Sequence, residues 1–198
     1  MSTAGPPQGA NSAPSGGSAA AKPQAWGGHA TAEAYIGLGS NLAHPRRQVA
    51  RALRAMARLP RTRVVAVSRN YRSAPIGASG PQPDYVNAVA AVRTALAPRA
   101  LLRRLLSIER RQGRQRARET PRNAARTLDL DLLLYERRRM RGAALTLPHP
   151  RMHERAFVLR PLLDVAPHAR IPGRGLARLR LHAVRGQRVV ATRRHCLR

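Results

Sequence analysis

The sequence contains little cysteine, few aromatic residues and few acidic residues. Cys196 is the only cysteine, which excludes an internal disulfide framework and a cysteine-based zinc site. Aromatic residues make up 3% of the chain, so aliphatic side chains must supply most of any core. No apolar run reaches the roughly 18 residues that a membrane-spanning helix needs. We therefore expect a soluble protein of a reducing compartment, the cytoplasm.

Positive charge dominates the chain, with 37 lysine and arginine residues against 9 acidic residues and a formal net charge of +28. Almost all of the basic residues are arginines, whose planar guanidinium group binds phosphate through two parallel hydrogen bonds. Such a charge attracts nucleic acid, nucleotides or acidic surfaces, and composition alone does not choose among them. A GC-rich coding sequence would also place many arginines on solvated faces. That interpretation is favoured for the isolated arginines, such as Arg46, Arg47, Arg51, Arg54 and Arg58.

The composition divides the chain into three parts. Residues 1–32 are rich in proline, glycine, serine and alanine and bury too little apolar surface to fold, so we expect a disordered extension. This extension has neither the apolar region of a secretory signal nor the arginines of a mitochondrial presequence. Residues 33–173 form the predicted folded domain, and residues 174–198 are a basic C-terminal segment.

The hydrophobic pattern between residues 34 and 163 alternates between strand and helix periods. Two predicted helices begin at Pro45 and Pro98, and Pro60 and Gly113 end them. A short third helix is expected over 153–163, interrupted at Pro161. Strands are expected at 34–39, 62–68, 85–92 and 127–135, and loops at 73–83, 114–126 and 145–150. This β-α-β-β-α-β order predicts one α+β domain with helices packed on a sheet.

Asp129 and Asp131 alternate with leucines in the run Leu128-Asp129-Leu130-Asp131-Leu132. Successive side chains of a strand point to opposite faces, so the two carboxylates share one face and the leucines the other. Two adjacent carboxylates repel each other unless a positive charge lies between them. Either a divalent cation such as Mg²⁺, held together with substrate phosphates, or a set of arginines would supply that charge, and the spacing favours neither.

A basic loop leads directly into this strand and carries five arginines, Arg114, Arg116, Arg118, Arg122 and Arg126. Arginines beside a carboxylate-held metal stabilise the charge that builds up during phosphoryl transfer. A solvated connection is the simpler interpretation of any one arginine, but the cluster beside two carboxylates favours phosphate binding. The P-loop pattern is absent, and Gly37-Leu38-Gly39 is interpreted as the turn at the end of the first strand.

Four other residues are candidates for ligand binding. His149 is fixed between two prolines and could donate a hydrogen bond to a phosphate near the arginines. Tyr85 and Asn87 share one strand face, and together with Phe157 they could hold a flat heterocycle and bind its edge. A structural role is the favoured interpretation of each of the four taken alone.

Five motifs occur in order along residues 34–172: AYIGLGSNL from Ala34, YRSAP from Tyr71, PDYVN from Pro83, RTLDLD from Arg126 and PHPRM from Pro148. Together they resemble the 6-hydroxymethyl-7,8-dihydropterin pyrophosphokinase family of folate biosynthesis. The resemblance implies a ferredoxin-like core with a mainly antiparallel sheet. It also implies transfer of pyrophosphate from ATP to the hydroxymethyl group of a reduced pterin, with release of AMP. The expected enzyme is a monomer that uses two Mg²⁺ ions and binds neither membrane nor nucleic acid.

Carried over residue by residue, the resemblance implies three groups of site residues. The catalytic group comprises Arg114, Arg126, Asp129 and Asp131, with both aspartates as Mg²⁺ ligands. The expected ATP contacts are Glu109, Arg116, Leu132, Thr146, His149 and Arg155. The pterin is expected between Tyr85 and Phe157, with Asn87 at its edge and with Ser73, Ala74 and Ile76 lining the pocket.

Four positions depart from residues that members of this family carry, namely Leu106, Asn123, Ala125 and Ala144. Ala125 stands where a proline usually precedes Arg126, which should leave the loop less restrained. Leu106 and Asn123 leave open a catalytically inactive relative that still binds pterin, and the net charge of +28 leaves open a basic nucleic-acid-binding module. The low aromatic content argues against the nucleic-acid-binding module, because such modules stack bases on aromatic rings.

Overall fold

The computed structural model describes Met1 and residues 30–77, 80–114 and 124–192. Most of the predicted N-terminal extension lies outside the described residues, and so do Arg116, Asn123 and most of the basic loop.

Eight strands and four helices lie within these ranges. The strands are β1 (Ala32–Ser40), β2 (Thr62–Val67), β3 (Tyr71–Ser73), β4 (Tyr85–Thr94), β5 (Asp129–Tyr135), β6 (Arg170–Ile171), β7 (Gly175–Leu176) and β8 (Val189–Ala191). The helices are α1 (Pro45–Ala57), α2 (Pro98–Arg111), α3 (Ala156–Val165) and α4 (Ala177–Ala183), and a 3₁₀ turn spans Met152–Glu154. None of the described helices combines the length and apolarity needed to cross a membrane.

The main sheet has the strand order β5-β1-β4-β3-β8, and β2 also pairs with β4. Every strand pair in it is antiparallel. In the unit β5-β1-β4-β2, α1 follows β1 and α2 follows β4, which is the ferredoxin-like arrangement. The predicted α+β fold with helices on a mainly antiparallel sheet is therefore confirmed, and β6 and β7 form a separate two-stranded ribbon.

Helices α1 and α2 cover one face of the sheet. Pro45 and Pro98 lie in their first turns, as the sequence predicts, because a proline there removes no helical hydrogen bond. Ile36 and Leu38 of β1 are buried against these helices and form the main core with the leucines of β5. The helical side of this core comprises Val49, Leu53, Met56, Leu101, Leu105 and Ile108.

Helices α3 and α4 cover only part of the opposite face. They pack over Val89 of β4 and Leu133 of β5, where they form a second, smaller core. The rest of this face stays open across β1, β4 and β5. One side of the sheet therefore supports the fold, while the other has room for a ligand.

Two predicted details are wrong, each for a physical reason. Pro161 does not interrupt the third helix, since α3 continues from Ala156 to Val165. Burial of the proline ring offsets the one lost backbone hydrogen bond. The turn predicted at Gly37 and Gly39 is absent, since β1 continues to Ser40. Pairing with β4 on one side and β5 on the other holds both glycines extended.

The sequence predicts no element after residue 173, but the chain there forms β7, α4 and β8. β8 pairs with β3 from Tyr71↔Ala191 to Ser73↔Val189 and becomes an edge strand of the main sheet. Both strands have three residues, which is too short for a hydrophobic period to be recognised.

An ion pair joins α3 to the connection between β2 and β3. Arg69 donates from Nη2 to Asp164 Oδ1 at 3.0 Å and from Nε to Oδ2 at 3.1 Å, and the Tyr71 hydroxyl donates to Oδ1 at 2.9 Å. Burial by itself would raise the pKa of Asp164, but these hydrogen bonds outweigh it and hold the pKa below its usual range. The ionised carboxylate therefore ties the helix beside the open face to the sheet.

Replacing Asp164 by asparagine should lower the melting temperature at pH 7 by several degrees. Because the pKa of Asp164 is depressed in the folded state, its stabilising contribution is present above the unfolded-chain pKa of about 3.9 and is lost as pH falls through the folded value. The melting temperatures of wild type and Asp164→Asn should therefore converge below about pH 4.

The matched control is Asp84→Asn, which removes the exposed ion pair between Arg72 and Asp84. Exposed pairs contribute little, so its melting temperature should stay close to that of wild type. Equal losses in the two variants, or a loss in Asp164→Asn that does not change with pH, would contradict this role of Asp164.

Candidate active site

A cavity of about 390 Å³ opens on the uncovered face of the sheet. Strands β1, β4 and β5 form its floor, and the chain after β3 and the start of α3 form its walls. The lining includes ten of the residues that the sequence assigns to the site: Ser73, Ala74, Ile76, Tyr85, Asn87, Arg126, Asp129, Asp131, Arg155 and Phe157. The size is that of a small-molecule site.

Two glycines keep the floor of this cavity open. Gly39 lies opposite Asn87 of β4 on one side and opposite Asp129 of β5 on the other, and Gly37 lies opposite Asp131. A Cβ atom on Gly39 would lie 3.5 Å from Asn87 Oδ1, so a larger side chain would extend into the cavity. The missing side chains on β1 therefore leave a gap between the amide on β4 and the carboxylates on β5.

Asp129 is held between two arginines. Arg126 Nη1 donates to Asp129 Oδ2 at 2.7 Å, and Arg114 Nη1 donates to Asp129 Oδ1 and to the buried Glu109. Glu109 Oε1 also accepts from the backbone N–H of Leu130 at 2.7 Å, which ties the end of α2 to β5. Burial would raise the pKa of Asp129, but the two arginines outweigh it and lower the pKa, so this carboxylate is ionised.

Asn41, the residue after β1, fixes the backbone of Arg126. Its Oδ1 accepts from Arg126 N at 2.8 Å, and its own N–H donates to Arg126 O at 3.1 Å. Asn41 Nδ2 donates to the Pro83 carbonyl at 3.2 Å, close to the start of β4. This buried side chain thus links three segments that border the cavity. The sequence contains Asn41 in its first motif but gives no sign of this role.

Asp131 has a different environment from Asp129. Its side chain is 38% exposed, and His149 Nε2 lies 3.8 Å from its Oδ2. Burial, followed by repulsion from Asp129 and Glu109, raises the pKa of Asp131 above its usual range. Among the described residues, the positive charge near Asp131 does not offset these effects, so further positive charge would favour its ionised form.

His149 is neutral at pH 7. Burial, followed by the positive charges of Arg155 and Arg151, lowers the pKa of His149 to about 4. Its backbone N–H donates to Leu133 O at 2.9 Å, but the buried ring atom Nδ1 has no hydrogen-bond partner in the part of the chain that the structure describes. The described residues thus leave some hydrogen-bonding capacity of His149 unused.

The same cavity also contains an amide and aromatic rings. Asn87 Nδ2 donates to Ser73 Oγ at 3.0 Å, which fixes the orientation of the buried amide. Tyr85 and Phe157 also line the cavity, and the Arg155 guanidinium carbon lies 5.5 Å from the centroid of the Phe157 ring. A flat, polar heterocycle would stack on these rings and form hydrogen bonds with the Asn87 amide at its edge.

Five other predicted residues within the described ranges do not line the cavity, namely Glu109, Arg114, Leu132, Thr146 and His149. Arg114 and Glu109 connect to it through Asp129, as described above. The Leu132 side chain is 3% exposed and packs in the main core. Thr146 is half-buried and lies outside the lining. Arg116 falls outside the described residues, so its contact with ATP stays a prediction.

Gln187 is a cavity residue that the sequence does not reveal. Its Oε1 accepts from Ala156 N at 2.8 Å, and its Nε2 donates to Glu154 O at 2.8 Å. These two bonds hold the backbone on both sides of Arg155, and Glu154 and Arg151 line the cavity beside them. No motif or periodicity distinguishes Gln187 within its arginine-rich segment, so only the tertiary contacts identify it.

Comparison with known proteins identifies the family of this chain. Residues 35–167 match the family model described as 7,8-dihydro-6-hydroxymethylpterin-pyrophosphokinase. A Pseudomonas aeruginosa protein named 2-amino-4-hydroxy-6-hydroxymethyldihydropteridine pyrophosphokinase is 51% identical over 146 residues, which cover 73% of this chain and 88% of the relative. A protein of the same name from Haemophilus influenzae is 48% identical over 139 residues, covering 70% of this chain and 84% of the relative. The chain therefore belongs to the 7,8-dihydro-6-hydroxymethylpterin pyrophosphokinase family.

Solved structures show the same fold. A crystal structure of wild-type Plasmodium falciparum HPPK-DHPS with pteroate has a TM-score of 0.61 at 11% identity, covering 78% of this chain and 42% of that chain. An HPPK-DHPS structure in complex with substrates has a TM-score of 0.59 at 13% identity, covering 77% of this chain and 43% of that chain. The chain thus spans less than half the length of these two proteins.

Gly39→Val should weaken ligand binding without unfolding the protein. The extended backbone accepts a β-branched residue, but its side chain would occupy the gap between Asn87 and Asp129. Calorimetric titration with 6-hydroxymethylpterin should show a Kd raised by about tenfold or more, with the melting temperature close to that of wild type. Gly39→Ala, whose added methyl group makes ordinary contacts, should have a smaller effect. Wild-type affinity in Gly39→Val would contradict the role of this gap.

Gln187→Ala should raise KM for the substrates by about tenfold while changing kcat less, because it frees the backbone that carries Arg155. Steady-state kinetics with each substrate varied in turn would measure the changes in KM and kcat separately. Gln187→Glu keeps the acceptor for Ala156 N and loses the donor to Glu154 O, so it should lie between wild type and Gln187→Ala. Unchanged KM values in both variants would show that Gln187 is not a positioning residue.

Proposed function

We propose that this protein transfers pyrophosphate from ATP to the hydroxymethyl group of 6-hydroxymethyl-7,8-dihydropterin, giving the pterin diphosphate and AMP, a step of folate biosynthesis. The observation that carries the proposal is a single cavity that joins a carboxylate pair and arginines to an amide and two aromatic rings. The carboxylates and arginines suit the phosphates of ATP with their metal ions, and the amide and aromatic rings suit a pterin. Relatives named as pyrophosphokinases support the same reaction.

The pterin ring would lie between Tyr85 and Phe157, with the Asn87 amide at its edge. Because Ser73 fixes that amide, Asn87 presents one pattern of donor and acceptor, which selects one edge of the heterocycle. Ile76 is 52% exposed at the cavity wall, so a bound ring would remove apolar surface from water there. Ala74 would complete this wall.

Asp129 and Asp131 fit the ligand set of Mg²⁺, and we place two such ions beside them with ATP. Mg²⁺ is commonly held by one or two carboxylates together with substrate phosphates. The raised pKa of Asp131, caused first by burial and then by Asp129, indicates a carboxylate that a divalent cation would stabilise. Within the described ranges, no cluster of three or more His, Cys, Asp or Glu side chains could hold a metal alone. When bound, the ions would neutralise phosphate charge.

The arginines would bind and orient the triphosphate. Arg114 and Arg126 already converge on Asp129, so phosphates brought to that carboxylate would come within their reach. Burial, followed by the charge of Arg151, lowers the pKa of Arg155. An anion beside Arg155 would stabilise its charged form against both effects. We expect His149 and Thr146 to contact the nucleotide next to these arginines.

Catalysis would depend on position and charge. The pterin hydroxyl oxygen forms a bond to the β-phosphorus, while the bond from that phosphorus to the oxygen bridging the α-phosphorus breaks. AMP leaves with that electron pair, and the hydroxyl proton passes to water. The cavity would align the hydroxyl for in-line attack, and the arginines would stabilise the charge that develops on the phosphate oxygens.

The working unit is proposed to be a monomer in the cytoplasm. The described residues of one copy supply the carboxylates, arginines, amide and aromatic rings that the proposal uses, so it needs no residue from a second copy. Its expected partners are the small molecules ATP and the reduced pterin.

Incubation with MgATP and 6-hydroxymethyl-7,8-dihydropterin tests the proposal. AMP and pterin diphosphate should form in equal amounts, because one bond is made for each bond broken. Formation of ADP would instead identify transfer of a single phosphoryl group. Pterin binding without either product would identify a catalytically inactive relative, and both of these results would contradict the proposal.

Asp131→Asn should lower kcat/KM in this assay by about a hundredfold or more, because it removes a carboxylate charge while preserving side-chain shape. Its melting temperature should stay near that of wild type. The matched control is Glu136→Gln, which removes an exposed acidic charge just after β5 and should leave turnover unchanged. Near-wild-type turnover in Asp131→Asn would refute the assignment of this carboxylate.

A further inference from the structure

A second groove, of about 480 Å³, lies between α1 and α2. These helices cover the face of the sheet opposite the candidate active site. Arg51, Arg54 and Arg58 line the groove from the α1 side, and Arg104 and Arg111 line it from α2. All five side chains are exposed. The groove thus presents guanidinium groups from both of its walls.

Among the described residues, no acidic side chain lines this groove. None of its five arginine side chains forms a hydrogen bond or an ion pair with another residue in the described ranges. Helix α1 contains no acidic residue, and Glu109 of α2 is buried and bonded to Arg114 and Leu130 N. Repulsion among these arginines raises the free energy of the groove, and a bound anion would lower it.

The groove also has the shape and chemistry of a binding site. Leu59 supplies apolar surface between the arginines, and Ser107 supplies a hydroxyl group. Its volume is in the range of small-molecule sites. Arginine binds phosphate oxygens through paired hydrogen bonds, and groups on two walls can engage more than one phosphate at once.

We propose that the groove between α1 and α2 binds a small ligand that carries two or more phosphate groups. The arginines of both walls hold the phosphates, and Leu59 contacts the less polar part of the ligand. None of the described residues that line this groove also lines the candidate active site, so the two sites are separate in space. The sequence alone favours the interpretation of the α1 arginines as separate solvated side chains. The packing of α1 beside α2 places three of them along one groove with Arg104 and Arg111.

Titration with inorganic tripolyphosphate, followed by NMR of arginine side chains labelled with ¹⁵N, tests the proposal. The ionic strength is set at roughly 0.15 M, where weak surface attraction is largely screened. The Nε resonances of Arg58 and Arg111, one from each wall, should shift with the same Kd. The probe also suits the candidate active site, but these two resonances report only on the groove.

The double variant Arg54→Ala/Arg104→Ala should raise the Kd reported by Arg58 and Arg111 by about tenfold or more. The matched control, Arg160→Ala/Arg178→Ala, removes two exposed arginines from α3 and α4 and should leave that Kd within about twofold of wild type. Thermal unfolding of each variant establishes that it is folded. Resonances of Arg58 and Arg111 that do not shift in wild type, or equal changes in Kd for both double variants, would overturn the proposal.

Discussion

Repulsion between Asp129 and Asp131 is the constraint on which the candidate site depends. The strand period places both carboxylates on one face of β5, and Leu130 and Leu132 anchor that strand in the main core. Arg114 and Arg126 neutralise Asp129, but Asp131 keeps a raised pKa because burial and Asp129 disfavour its charge. Under the proposed function, the cavity would attract divalent cations and, through its arginines, phosphates. This is the combination that transfer of pyrophosphate from a nucleotide requires.

One face of the sheet packs against helices to form the core, and the other face carries the cavity. Strand β1 shows this difference most clearly. Its Ile36 and Leu38 are buried under α1 and α2, while Gly37 and Gly39 on the other face leave space for a ligand. The partial cover on that face is held by polar contacts from α3, in which Asp164 bonds to Arg69. A rigid floor and a wall fixed at a few points give a cavity whose shape is largely formed before substrate binds.

Local pattern predicts the α+β fold, which the structure confirms, because the periods of helices and strands are short. Alternation around Asp129 and Asp131 predicts their common face, and prolines mark the starts of α1 and α2. Gly37 and Gly39 have the composition of a turn, and only pairing with strands distant in sequence holds them extended. Gln187 likewise acts through contacts with residues about thirty positions away, which no local pattern encodes.

The most direct test of the central claim is a crystal structure of the protein with Mg²⁺ and a non-hydrolysable ATP analogue. The account predicts metal density bonded to oxygens of both Asp129 and Asp131 and to phosphate oxygens of the analogue, with Arg126 turned toward the phosphates. Density that shows Asp129 still bridged by Arg114 and Arg126, with Asp131 free of metal while the analogue is bound, would contradict it.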